Sequence, residues 1–83
     1  MNISELQFTL RRISSDVGEN IEKLHSLENQ IENTINRVQL NFSDQTSGQS
    51  IISNLDSSVN SLAFSESALI NLVNELQSCI SRF

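Results

Sequence analysis

The sequence predicts an all-α protein, an antiparallel two-helix hairpin that pairs into a four-helix bundle, as a single domain over residues 1–83. Three observations carry this reading. Two apolar ladders with alternating four- and three-residue steps run along the chain, a polar stretch separates them, and no proline interrupts either one. Apolar residues that recur every 3.5 positions specify helices that coil around a neighbour, with the ladder as the contact seam.

The first helix is expected over about residues 3–41, on a ladder of Ile3, Leu6, Leu10, Ile13, Val17, Asn20, Leu24, Leu27, Ile31, Thr34 and Val38. Asn2 with Glu5 three positions later forms a capping box at its start. Gly18 is expected on its outer face, at a cost of about 1 kcal/mol relative to alanine. The turn is expected at about residues 42–48, within a stretch from Asn41 to Ser50 whose Asn, Asp, Ser and Gly residues bond their own backbone or permit positive φ. Thr46, Ser47 and Gly48 form the turn motif, with Thr46 or Ser47 as the cap of the second helix.

That second helix is expected over about residues 48–82, on a ladder of Ile52, Leu55, Val59, Leu62, Glu66, Leu69, Val73, Leu76, Ile80 and Phe83. Antiparallel pairing makes facing positions sum to about 93, so that Val38 meets Leu55, Ile31 meets Leu62, Leu24 meets Leu69, Val17 meets Leu76 and Leu10 meets Phe83. The layers between them carry polar defects, with Thr34 opposite Val59, Leu27 opposite Glu66 and Asn20 opposite Val73. Such defects fix register or partner choice, and an unpaired polar group in a core costs about 1–3 kcal/mol. Glu66 is placed beside Lys23, so two roles stand open for it: an ion pair at the edge of the seam, or a contact to a second protein.

Apolar residues beyond the seams point to a partner. Ile21, Ile35 and Phe42 widen the first stripe, and Ile51, Ala63, Ile70, Leu72 and Cys79 flank the second. A stripe wider than a two-helix seam is covered by further helices. The first helix also overshoots, since Phe83 lies level with Leu10 and nothing faces Ile3, Leu6 and Phe8. The expected partner interface is therefore Ile3, Leu6, Phe8, Ile21, Ile35, Phe42, Ile51, Glu66, Ile70 and Leu72. Between Gln45 and Phe83 there are ten serines and four asparagines but only four charged residues, and these small neutral side chains allow close approach of another surface.

Composition excludes several functions. Ten acidic against five basic residues give a net charge of −5, which repels a polyanion, so no nucleic-acid binding is expected. No apolar run approaches the roughly 18 residues that span a bilayer, so membrane insertion is not expected either. The amino terminus has no basic segment leading into an apolar block; the expected location is the cytoplasm, with any export through a signal-peptide-independent system. His25 is the only histidine and has no cysteine or second histidine with which to share a metal. Cys79 is the only cysteine and reads as a small buried hydrophobe. No serine stands in a nucleophile elbow, and the two glycines are too far apart for a phosphate loop. Neither catalysis nor a cofactor or metal is expected.

A small acidic hairpin of two long helices, with no proline and with Thr46-Ser47-Gly48 near mid-chain, resembles the WxG-motif (ESAT-like) family of type VII secretion proteins. Within it the similarity is to the helical proteins that accompany LXG-type toxins in Gram-positive bacteria. The glycine of the Trp-x-Gly turn is matched by Gly48, and the tryptophan is replaced by Thr46. The family's carboxy-terminal export signal, an aromatic residue with an acid four positions on, is absent: Phe64 is followed by Ala68 and Phe83 ends the sequence. The resemblance implies a non-enzymatic partner, targeting factor or chaperone, as a homodimer or heterodimer with another hairpin or with the helical amino-terminal domain of a secreted toxin. Two other readings share the pattern: a type III secretion needle subunit or needle chaperone, and a generic coiled-coil adaptor.

Overall fold

A computed structural model describes residues 2–42 and 45–83. Within them lie two helices, α1 (Ile3–Phe42) and α2 (Thr46–Ser81), packed as an antiparallel hairpin in a rod of 62 × 15 × 14 Å. Asn2 caps α1 as expected, through its own half of the capping box. Its side-chain Oδ1 accepts the Glu5 N–H at 2.8 Å and its carbonyl accepts the Leu6 N–H at 3.0 Å, which satisfies donors that a helix start otherwise leaves free. Along the helices, hydroxyls of Thr9, Thr34, Ser58 and Ser81 donate to the carbonyl four residues back. This local bonding accommodates hydroxyl residues inside long helices.

The turn differs from expectation. The Gln45 N–H bonds the Phe42 carbonyl at 3.0 Å, and Gln45, extended at φ −104° and ψ 140°, is the residue from which α2 starts, with no side-chain cap bond. Thr46, Ser47 and Gly48 thus form the first turn of α2 and do not cap it; of the expected turn, Ser43 and Asp44 lie outside the described residues. Gly48 is buried, and its role is close approach, because a Cβ there would overlap the carbonyl and Cβ of Phe42. Neither glycine has positive φ. Gly18 has nothing within 4 Å of where its Cβ would stand. Gly18→Ala is therefore expected to stabilise the chain by up to about 1 kcal/mol, and Gly48→Ala to destabilise it, in parallel thermal melts.

The seam of α2 is the expected one as far as Ile80: Ile52, Leu55, Val59, Leu62, Glu66, Leu69, Val73, Leu76 and Ile80 are half-buried, and only Cys79 among the residues between them is also covered. Phe83, expected as the last rung opposite Leu10, lies beyond the end of α2 and is 50% exposed. In α1 every second rung is as expected, namely Leu10, Val17, Leu24, Ile31 and Val38. The intervening rungs are shifted by one residue. Ser14, Ile21, Glu28 and Ile35 turn inward, while Ile13, Asn20, Leu27 and Thr34 are exposed. The shifted column leads back from the turn. The Phe42 backbone and Cβ close on Gly48, and the seven-residue column leading back from Phe42 is Ile35, Glu28, Ile21, Ser14, the column that faces α2. Ile31 and Leu62 line one groove between the helices, as the register requires.

Little is enclosed. Val17 and Ile35, each 9% exposed, are the only buried apolar side chains among the described residues, and none falls below 2%. No helix is long and apolar enough to cross a membrane, among the described residues.

Candidate partner surface and a polar break in the seam

Two columns of α1 and α2 stand immediately before the inward ones, and in an antiparallel pair they fall on the same side of the hairpin. On α1 they carry Leu6, Ile13 and Leu27, and on α2 Ile51, Leu72 and Cys79. Leu27 shares a shallow groove with Ile31 and Leu62 and with Ser57, Ser58, Ser61 and Ser65, whose small side chains leave the groove open. Down the register, Ile13 lies level with Cys79, Leu72 with Asn20, Leu27 with Ser65 and Ile51 with Asn41, so the apolar stripe crosses from helix to helix. Thr34 and Ser58 interrupt it.

The charges bordering this stripe, three residues after its positions, are Asp16, Lys23 and Arg37 on α1 and Glu75 and Arg82 on α2. Their signs nearly cancel, so the acidic surplus of the chain lies elsewhere. On the opposite side the corresponding columns hold Arg11, His25, Glu32 and Gln39 with Gln49, Asp56 and Gln77, and only Ala63 and Ile70 are apolar.

The expected interface residues separate accordingly. Ile51 and Leu72, 46% and 39% exposed, lie on the stripe, and Leu6 is half-buried at its amino-terminal end. Ile3 and Phe8 are exposed at the overhang of α1, Ile70 faces the polar side, and Phe42 sits at the turn against Gly48. Two require correction. Ile35 is buried and Ile21 half-buried within the hairpin's own seam, so neither widens an outer face. Their places outside are taken by Ile13 and Leu27, each 42% exposed.

The seam breaks at Glu66, which meets Glu28 and not Leu27. Its neighbour is also different from expectation: His25 Nδ1 stands 3.8 Å from Glu66 Oε1, an ion pair only when the imidazole is protonated, and Lys23 is exposed. Two ionised carboxylates have no proton to share, and Oε1 of Glu28 is shielded from solvent with no hydrogen-bond partner. Protonation would let the two carboxyl groups hydrogen-bond. That bond first, then burial and the charge of Glu66, hold the Glu28 carboxyl above the ordinary carboxylate range; His25 opposes the shift and Glu32 adds to it. Ligand atoms of His25, Glu28 and Glu66 all lie within 4.8 Å of one another, a cluster with the donor chemistry to hold a cation. No protein-family model, curated protein or solved structure matches this chain.

Proposed function

We propose that the chain is a non-enzymatic helical partner protein, which completes a four-helix bundle with another helical hairpin through the stripe of Leu6, Ile13, Leu27, Ile51 and Leu72. One observation carries the reading. A compact monomer of 9.3 kDa exposes about 5,000 Å² by size scaling, whereas this hairpin exposes 6078 Å². The surplus of roughly 1,000 Å² is what one partner contributes to a standard protein interface, about 800 Å². A second copy meets this side of the hairpin without charge repulsion, because the bordering charges nearly cancel.

The hairpin architecture and its resemblance to WxG-motif proteins support a setting in type VII secretion, with the chain as the subunit that carries a toxin's helical amino-terminal domain. Sedimentation or light scattering of the purified chain tests the bundle. The expected result is a dimer at micromolar concentration, and Ile13→Ser with Leu27→Ser is expected to weaken it by about tenfold or more, or 1.4 kcal/mol, with helix content unchanged. A folded, strictly monomeric chain that also stays alone when co-expressed with a hairpin partner overturns the proposal. Loss of toxin export on deletion of the gene, restored by the wild-type copy and not by the Ile13→Ser, Leu27→Ser variant, tests the setting.

A further inference from the structure

We infer that His25, Glu28 and Glu66 form a binding site for a zinc-like divalent cation that pins α1 to α2 at mid-rod. The inference is independent of the partner reading, since the cluster lies on the polar side of the hairpin and the stripe on the other. His25 and Glu28 stand three residues apart on α1, the spacing at which helical side chains are neighbours, and Glu66 reaches them from α2. One imidazole nitrogen with two carboxylate oxygens is a donor set that suits zinc, with water in the fourth place.

The distances are within reach of closure. Donors around tetrahedral zinc stand roughly 3.4 Å apart, given metal–ligand bonds of about 2.0–2.2 Å. The three donor atoms already lie within 4.8 Å of one another, and His25, whose side chain is 65% exposed, is free to swing inward. The seam supplies the second indication. Two acids face each other between the apolar rungs of Ile21 and Ile35, and the shielded Oε1 of Glu28 has no donor from the protein. A dication neutralises both carboxylates and gives that oxygen a partner.

Calorimetric titration of the chelator-treated chain with Zn²⁺, alongside thermal melts, tests the site. The expected result is one zinc per chain, a melting midpoint that rises with zinc concentration as preferential binding to the folded state requires, and no response to Mg²⁺, which prefers octahedral oxygen ligands. His25→Ala, at an exposed position, is expected to leave the metal-free chain helical by circular dichroism and to weaken zinc binding by about tenfold or more. Glu28→Gln is expected to weaken it likewise. Absence of saturable binding overturns the inference. So do equal responses to Zn²⁺ and Mg²⁺, unchanged affinity in His25→Ala, or one zinc per two chains, which places the ion between copies.

Discussion

Ile35→Asp is expected to abolish the cooperative melt of the isolated chain. Ile35 is one of two buried apolar residues, 9% exposed, and belongs to the column that faces α2. Truncation of a buried isoleucine costs about 2–5 kcal/mol, and an unpaired carboxylate in its place adds the penalty of a buried charge. A single core in a chain of this size supplies roughly 3–5 kcal/mol, so the loss matches or exceeds the whole. Circular dichroism should show most of the helical signal gone at 25 °C. Leu40→Asp, on the same helix at 85% exposure, is expected to melt like the wild type, and Ile13→Asp, at 42%, to stay folded. The reverse order, with Ile13→Asp unfolded and Ile35→Asp intact, would show that the other column is the core.

That contrast also marks how far the sequence was legible. The ladder of α2 could be read off because polar residues break the columns on both sides of it, Ser58 and Ser65 on one and Gln49, Asp56 and Gln77 on the other, so neither flanking column of apolar residues is continuous. In α1 the shared rungs Leu10, Val17, Leu24, Ile31 and Val38 were equally plain. The alternate rungs were not, because a four-three ladder can be completed by Ile13 and Leu27 on one side or by Ile21 and Ile35 on the other, with comparable apolar content. Local periodicity is degenerate between them. What separates them is packing against α2, which local spacing does not carry, and Gly48, which the sequence marks as a turn glycine, is a packing glycine set against the Phe42 backbone across the turn. A polar tie-breaker was present but pointed the wrong way: Glu28 looks like a surface residue until the fold sets it against Glu66. The cluster with His25 follows from that same packing, so no spacing along either helix announces it. The overhang of α1 and the exposure of Ile51, Ile70 and Leu72, by contrast, follow from register alone, and these the sequence does carry.

Glu28→Leu combined with Glu66→Leu is expected to raise the melting midpoint by more than about 5 °C in the presence of chelator, on the scale by which small domains respond to seam changes. The two substitutions make the inward columns apolar across the break and remove a facing pair of like charges. The same change should flatten the pH dependence of stability, and its sign follows from Glu28. The folded carboxyl is held above its ordinary value near 4.5, first by the hydrogen bond that a protonated pair makes, then by burial and by Glu66. A group raised on folding contributes stability that is fully present below the unfolded pKa and is lost as pH rises through the folded one. The metal-free wild type should therefore lose stability relative to the double variant as pH rises from about 4.5 towards neutrality, with Glu66 facing the group from α2 and His25 and Glu32 from α1. A difference that is constant across this range would mean the two carboxylates do not interact. If the stabilised variant also loses selectivity for its partner or its response to Zn²⁺, the acids are held in the seam for recognition at a cost in stability, which is the usual trade for a polar residue at a core position of a coiled coil.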